Sequence, residues 1–240
     1  MKKQLLAVLL TVMVAGGLLA ACAPQQQDPP ASNDGAIGAK TDLEVHDLSP
    51  ERQINSVITL GTLELTSEGE NAAVAAINAD LRGHLDEYLA ATTDQDAMLA
   101  AEDNSLTFTH ELIYEPVVID DQFVSVIARG YDYQDRAAHP NTYRQGFVYD
   151  ITTGARLTLA DLLPDGYQEE LAAAIITQIK SAGEAENYYP GYEQLIPSIL
   201  AQENWYLKDG AIYLIFNPDQ IAPYALGILE FPYQYQPSEG

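Results

Sequence analysis

Residues 106–151 read LTFTHELIYEPVVIDDQFVSVIARGYDYQDRAAHPNTYRQGFVYDI, and this stretch decides the fold class. Leu106–Tyr114 alternates apolar and polar residues, as a half-buried strand does. Phe123–Tyr133 is again rich in strand-forming residues, and Asp120-Asp121 supplies the turn between the two segments. We therefore predict an antiparallel hairpin, followed by a third strand over Tyr143–Ile151.

The sequence on both sides of this stretch predicts further strands and two or three helices. Residues 53–65 are β-prone, and an apolar stripe at helical spacing predicts a helix from about Asn71 to Ala91, whereas residues 94–104 fit a short helix or a loop. Downstream we expect a helix capped by Asp161 or Asp165 and ending near Gly183, a short helix over Tyr192–Gln202, a hairpin turning at Asp209-Gly210, and a last strand over Leu226–Tyr235.

Strands and helices do not alternate regularly along the chain, as they would in parallel βαβ units. We therefore predict an α+β fold with mostly antiparallel sheets and two or three helices packed on one side. The chain is long enough for one compact unit or for two intimate lobes, residues 51–149 and 150–240, that meet near Tyr149.

The first residues are typical of an exported protein. Lys2 and Lys3 precede an uncharged apolar run, Leu5–Ala21, which predicts a secretory signal peptide over residues 1–21. The run ends Leu19-Ala20-Ala21-Cys22, which resembles a lipoprotein box, where the peptide is cut before the Cys and the Cys is acylated. A plain signal peptide with an incidental Cys, or a membrane-spanning anchor, is the alternative; the run is near the lower length limit of a span and no basic cluster follows it.

We therefore expect a lipid such as palmitate on Cys22 to anchor the mature protein to the outer face of the bacterial cell membrane. Residues 22–50 are rich in Pro, Gln, Asp, Gly and Ala and have no apolar period, which predicts a flexible tether. Since Cys22 is the only cysteine, the folded part has no disulfide and no thiol for redox chemistry.

The chain is strongly acidic, with 35 Asp and Glu residues against 11 Lys and Arg residues and a formal net charge of −24. Cleavage after Ala21 removes Lys2 and Lys3 and takes this charge to −26. Nucleic acid is excluded as a partner, because phosphate binding needs a basic face. The charge would speed encounter with a cationic protein, or it serves only the solubility of an exported domain.

Sequence motifs for catalysis are missing. The chain has no HExxH, no G-x-S-x-G and no P-loop, and its four His residues show no metal-ligand spacing. His84 and Glu87 lie three residues apart on the predicted helix without a third ligand, and we expect His110 to be a strand residue half in the core. We expect no cofactor and no catalytic residue.

Three loops carry the candidate ligand-binding residues. His139 lies in a turn with Pro140 and Asn141, where it either orders the turn or faces a ligand. Tyr188, Tyr189 and Tyr192 cluster in a second loop, and such rings stack on sugars, anchor interfaces or pack the edge of a core. Pro218 and Pro223 stiffen a third loop that carries Tyr224, so this loop either faces a partner or locks the final strand.

Two longer stretches resemble a known family of extracellular modules. They are AAHPNTY with VYDITTG and LTLADLL over residues 137–163, and FNPDQIAPYALG with Glu230-Phe231 over residues 216–231. Over residues 45–235 the chain resembles the module shared by RsiV-type anti-sigma factors, which sense lysozyme, and PdaC-type peptidoglycan deacetylases. Residues 51–149 would be the PdaC-like lobe and residues 150–240 the RsiV-like lobe.

The resemblance implies a binding module without the activities attached to it elsewhere. The deacetylases carry a separate metal-dependent catalytic domain, and only Gln236–Gly240 follow the module in this sequence. The anti-sigma factors carry a cytoplasmic segment and a membrane helix, and here a lipoprotein box stands in their place. We therefore expect a cell-surface lipoprotein that binds a lysozyme-like cationic protein or a peptidoglycan fragment at the cell wall. The alternatives are a peptidoglycan-modifying enzyme and a passive envelope lipoprotein.

Overall fold

Eight strands in two sheets and four α-helices make up the described part of this computed structural model, residues 37–48 and 54–235. The first sheet has the order β1-β2-β3-β4-β5. Its strands are β1 (Gly38–Leu48), β2 (Asn55–Thr66), β3 (Thr107–Ile119), β4 (Phe123–Gln134) and β5 (Asn141–Asp150). Neighbouring strands are antiparallel except β2 and β3, which are parallel.

The parallel pair exists because a long helix connects its two strands. Helix α1 (Ala72–Glu102) leaves the end of β2 and returns the chain to the start of β3, as a parallel connection requires. Asn71 caps it, because its side-chain oxygen accepts hydrogen bonds from the backbone N–H groups of Ala73 and Val74 at 3.0 and 3.1 Å.

The predicted hairpin is confirmed. The Asp120 carboxylate accepts hydrogen bonds from the N–H groups of Gln122 and Phe123 and closes the turn between β3 and β4. β3 runs farther than the alternating pattern indicates, through a register shift between Pro116 and Val118. Such a bulge lets a strand carry a proline.

The second sheet is antiparallel, with strands β6 (Trp205–Lys208), β7 (Ala211–Phe216) and β8 (Leu229–Gln234) in that order. Asp209 and Gly210 turn β6 into β7 with positive φ angles of 50° and 72°, as the Asp-Gly pair predicts. Helices α2 (Leu159–Leu162), α3 (Tyr167–Ala182) and α4 (Tyr192–Leu200) precede it. Neither predicted acid caps α3, which starts after Gly166; Asp161 instead closes a capping box with Thr158 on α2.

Two apolar cores lie under the helices. The first lies between α1 and the first sheet, and its fully buried members include Ile58, Ile77, Leu81, Leu112 and Tyr149. The second packs α3 and α4 against the second sheet. The α+β fold is therefore confirmed, with the helices divided between two sheets.

The two sheets are joined at β5. Asn204 and Asn217 each place an amide along the outer edge of β5: their oxygens accept from the N–H groups of Gly146 and Arg144 at 3.0 and 2.8 Å. Both amide nitrogens donate to the Arg144 carbonyl. Gly146 makes this approach possible, because a Cβ there would lie 1.8 Å from the Trp205 carbonyl oxygen. The described residues lie in one compact unit, in which the first sheet ends at Asp150 and the second begins at Trp205.

The structure corrects the extent of the tether. Residues 38–48, expected to be flexible, form β1 and pair with β2 along its whole length, from Gly38 opposite Thr66 to Leu48 opposite Ser56. The composition misled because the alternation over Asp42–Val45 is short and its apolar side chains stay exposed instead of entering a core. The expected signal peptide, Cys22 and the first part of the tether lie outside the described residues.

Helix α1 is also longer than predicted, since it continues without a break through residues 92–102. The predicted apolar stripe ends near Tyr88, and beyond it a buried polar network around Asp96 and a small apolar cluster of Ala100, Leu106 and Phe108 hold the helix. None of the helices in the described part of the chain combines the length and apolarity needed to cross a membrane.

Candidate functional site

An acidic cleft of about 300 Å³ lies where β1 and β2 meet α1. Strand β1 contributes Asp42 and Glu44, which share one face because side chains two residues apart in a strand point the same way. Glu64 comes from β2 and Asp86 from α1. The rest of the lining comprises Thr62, Leu63, Asn78, Leu81, Arg82, Leu85 and Tyr114.

The charges of the acidic cleft do not balance. Its four carboxylates face one lining cation, Arg82, and the neighbouring Lys40, whose Nζ lies 2.7 Å from Asp42 Oδ2. Both Lys40 and Asp42 are well exposed, so water screens this pair strongly. The cleft therefore keeps a net negative charge in contact with solvent and favours a cationic group.

The floor of the acidic cleft is rigid. The Asn78 amide binds both backbone groups of Leu65, accepting from its N–H at 2.8 Å and donating to its carbonyl at 2.9 Å. The Tyr114 hydroxyl donates to the Leu81 carbonyl at 2.9 Å and lies 2.6 Å from Nδ1 of His84. Burial lowers the pKa of His84, so this histidine is neutral at physiological pH and adds no positive charge to the site.

The other face of β1 is apolar and exposed. Leu43 and Val45 are 62% and 64% exposed, and Val57 of β2 beside them is 46% exposed. Single exposed apolar residues are ordinary, but these three lie on the same face of two paired strands, with Val57 diagonally across from Val45. Strand β1 thus presents carboxylates on one face and apolar side chains on the other.

The structure brings two sequence-predicted residues together. His139 is exposed in the β4–β5 loop, and its ring stacks on Tyr224 with centroids 3.8 Å apart and planes 25° apart. His139 Nδ1 lies 3.0 Å from the Pro140 carbonyl oxygen, and Asn141 begins β5 with an exposed side chain. Pro223 begins the short 3₁₀ turn that carries Tyr224.

The three tyrosines of the second loop have different surroundings. Tyr192 is 7% exposed and belongs to the core under α3 and α4, where its ring centroid lies 5.2 Å from that of Tyr188. Its hydroxyl is buried with no hydrogen-bond partner among the described residues. Tyr189 donates from its hydroxyl to Asp219 at 2.9 Å and from its backbone N–H to the Ile221 carbonyl.

These contacts hold the loop over residues 217–227 from two sides, with Tyr189 on Asp219 and His139 on Tyr224. Pro218 in this loop is half-buried, and Pro223 is exposed. Tyr192 is unavailable to a ligand because it is buried, and the Tyr189 hydroxyl is already hydrogen-bonded to Asp219. His139 is exposed, and Tyr188, Tyr189 and Tyr224 are half-buried. The His139–Tyr224 stack is the contact that joins residues of two different predicted loops.

A buried polar network joins α1 to the first sheet, and sequence reasoning missed it. His110 on β3 lies between two carboxylates, with Nδ1 2.7 Å from Asp132 Oδ1 and Nε2 3.1 Å from Asp96 Oδ2. Ser56 donates to Asp96, and the Tyr88 hydroxyl donates to Asp132 at 2.7 Å. The alternation of Leu106–Tyr114 placed His110 on the buried face, but no local pattern indicated its partners.

The network is suited to holding charge rather than to nucleophilic chemistry. Burial by itself would lower the pKa of His110, but hydrogen bonds and attraction from Asp132 and Asp96 outweigh it and raise the pKa to about 9. The imidazole is therefore protonated at neutral pH. Ser56 is 2% exposed and donates to Asp96 rather than to a neutral imidazole, so its hydroxyl is not accessible to a substrate in this structure. Among the described residues, no group of three or more His, Cys, Asp and Glu side chains is arranged to hold a metal ion.

Comparison with known proteins connects this chain to a family without an assigned function. Residues 160–236 match the model of the family described as "Protein of unknown function (DUF3298)". No curated protein matches the chain.

Two solved structures share its fold. A DUF3298 member from Bacteroides fragilis superimposes with a TM-score of 0.57 at 16% identity, covering 84% of this chain and 90% of that one. A DUF3298 protein from Pseudomonas aeruginosa gives a TM-score of 0.53 at 16% identity, covering 83% and 90%. The chain thus has a DUF3298 match in its C-terminal third and the overall fold of solved DUF3298 proteins.

Proposed function

We propose that this protein is an exported lipoprotein, anchored through Cys22, whose α+β module binds a cationic protein at the cell wall without chemical turnover. The export and anchoring parts rest on the sequence of residues 1–22. The observation that carries the binding part is the acidic cleft, where two strands and a helix hold four carboxylates in one exposed concave site. The lysozyme-sensing modules that the sequence resembles supply the class of ligand.

Charge acts at two distances in this proposal. The mature formal charge of −26 attracts a basic protein over roughly a Debye length, about 10 Å at 0.1 M salt, and raises the encounter rate. At contact, the carboxylates on β1, β2 and α1 receive lysine or arginine side chains. The rigid floor, fixed by Asn78 and Tyr114, keeps the ordering cost of binding low.

Lysozyme is the probe that tests the proposal. The folded protein is immobilised and lysozyme binding is measured at low and moderate salt, for the wild type and for a cleft variant that combines Asp42→Asn, Glu64→Gln and Asp86→Asn. The matched control, Glu169→Gln with Glu184→Gln and Glu186→Gln, removes the same charge from exposed positions near α3. We expect the cleft variant to weaken binding by about tenfold or more at low salt and the control by less than about threefold. Equal weakening by both variants, or no lysozyme binding by the wild type, contradicts the proposal.

A peptidoglycan fragment is the second candidate ligand, favoured by the His139–Tyr224 stack. The exposed His139 ring, stacked on half-buried Tyr224, offers a flat face on which a sugar can pack, and Tyr189 holds the loop of Tyr224 through Asp219. Muropeptide binding that is lost on Tyr224→Ala and His139→Ala, but kept in the cleft variant, would favour this candidate. Release of acetate from wall fragments by the purified protein would instead favour the enzymatic alternative.

A further inference from the structure

The two edges of the first sheet are treated differently. At the β5 edge, Asn204 and Asn217 bind the outward N–H and carbonyl groups of residues 144–146, and Gly146 lets the second sheet approach closely. In the described part of the chain, β1 is hydrogen-bonded to a neighbouring strand on its β2 side alone. A free edge offers a row of backbone donors and acceptors to another strand, and proteins usually blunt it.

Strand β1 carries charged side chains, which discourage pairing with a strand of like charge, but it lacks the backbone devices that block an edge. It is 11 residues long, which is about 36 Å of strand, and Gly38–Leu48 contains no proline. Its pairing with β2 is continuous, without a register shift. Its one lysine, Lys40, lies near one end and is paired with Asp42.

The side chains of β1 specify what would pair there. A strand added to this edge places its side chains opposite those of β1, alternately on the two faces. On one face they meet Asp42 and Glu44 at the rim of the acidic cleft, and on the other they meet Leu43 and Val45. The matching segment therefore alternates basic and apolar residues.

A second copy of this chain matches less well. Antiparallel self-pairing over the whole of β1 is centred on Leu43 and sets Asp42 of each copy opposite Glu44 of the other, which is destabilising. A centre at Thr41 sets Lys40 opposite Asp42 but pairs only seven of the eleven residues of β1. Residues 23–36, which precede β1, contain no lysine or arginine to meet the carboxylates. Charge thus favours a segment of a different, basic protein.

We infer that the cationic partner docks by adding an extended segment of alternating basic and apolar residues to the edge of β1 that no described strand occupies. This inference rests on the proposed function and names the mode of recognition: backbone hydrogen bonds along β1, basic side chains at the rim of the acidic cleft, and apolar side chains beside Leu43 and Val45. Strand addition of this kind draws affinity from the main chain and specificity from alternate side chains.

Synthetic peptides test the edge directly on the unaltered protein. The parent probe has about nine residues of alternating lysine and valine and spans about 30 Å when extended. Three relatives keep all of its lysines: one has the lysines in a block, one is N-methylated on every second amide, and one is N-methylated on every amide. Methylation on alternate amides leaves one edge of the peptide free to pair, whereas full methylation removes both edges.

We expect the parent peptide to bind and to slow hydrogen exchange of amides in Gly38–Leu48. Either set of alternate amides can be methylated, which gives two half-methylated peptides. The one whose unmethylated amides face β1 should bind within about threefold of the parent. The block peptide and the fully methylated peptide should each bind about tenfold more weakly or worse. Equal affinity of the parent and the fully methylated peptide would overturn the inference, because charge alone then explains binding.

Surface variants supply the second readout. Leu43→Lys with Val45→Lys should abolish binding of the alternating peptide, whereas Met98→Lys with Leu195→Lys, which makes the same charge change at exposed apolar positions elsewhere, should not. If the protein binds lysozyme but methylation of the peptide does not change its affinity, the proposed function stands and the edge inference is contradicted. A protein that binds the alternating peptide but not lysozyme supports the edge inference and removes lysozyme as the ligand.

Discussion

His110 is the residue whose surroundings say most about how α1 is held. It is 5% exposed and lies between Asp96, which is almost fully buried, and Asp132. A protonated imidazole between two carboxylates compensates charges that would otherwise be costly to bury. The network therefore holds α1 on the first sheet around Asp96, beyond the end of the apolar stripe.

Replacing His110 should weaken the attachment of this part of α1 to the sheet and lower the stability of the protein. In His110→Gln the imidazolium is lost and two neighbouring carboxylates remain, so we expect the free energy of unfolding to fall by about 3–5 kcal/mol. Urea unfolding followed by circular dichroism measures this loss. The control His139→Gln alters an exposed histidine and should stay within about 0.5 kcal/mol of the wild type. A decrease of less than about 1 kcal/mol in the free energy of unfolding of His110→Gln would show that the network does not stabilise the attachment of α1.

The same residue predicts a pH dependence. The pKa of His110 is about 9 in the folded protein and about 6.5 in an unfolded chain, so its stabilising effect is complete below pH 6.5. That effect is lost as pH rises through 9, by an amount on the order of 3 kcal/mol. His84 acts in the opposite sense: burial lowers its pKa, so it costs stability below pH 6.5. Urea midpoints from pH 6 to 9.5 should fall for the wild type and stay flatter for His110→Gln; parallel curves would refute the assignment.

The sequence supports residue-level inference only as far as its local patterns reach. Alternation in Leu106–Tyr114 places His110 on the inner face, but Asp96 lies in a segment without apolar periodicity. Their contact depends on where α1 crosses the sheet, which no local pattern encodes. For the same reason the stack of His139 on Tyr224 was not predicted, although each residue was selected separately.

At the scale of the elements, β5 depends on one small residue. Gly146 lies under the Trp205 carbonyl, so Gly146→Ala forces the second sheet away from β5 and strains the hydrogen bonds from Asn204. We expect a loss of about 2–4 kcal/mol in thermal or urea unfolding. Gly83→Ala is the matched control, because the added methyl group meets nothing within 4 Å on α1 and should stabilise the helix by about 0.5–1 kcal/mol. Similar effects of the two substitutions would contradict the close approach at β5.

The elements that the sequence predicts well are those with a strong local signal. The hairpin at Asp209-Gly210 and the one at Asp120-Asp121 follow from turn residues between apolar strands, and both are present. Strand β1 was missed because few of its residues are buried and its order comes from pairing with β2. Helix α1 was cut short because Asp96 replaces an apolar residue at a buried position.

At the scale of the whole molecule, the proposed anchor and the charge would determine where the module works. If Cys22 is acylated, palmitate labelling of the wild type should be lost in Cys22→Ala. The folded part should be unaffected, so urea unfolding of the variant serves as the control. Palmitate labelling that persists in Cys22→Ala, or that is absent from the wild type, would contradict the lipid anchor.

Mapping the surface on which lysozyme binds tests the proposed function and the docking mode most directly. Hydrogen exchange of the mature protein is compared with and without saturating lysozyme, at a salt concentration where the two bind. We expect protection to concentrate in Gly38–Leu48 and in the part of α1 around Arg82 and Asp86, with α3 unchanged. Protection centred on α3, on the His139–Tyr224 stack, or nowhere in the described strands would contradict the claim that a cationic partner seats on the acidic cleft and the β1 edge.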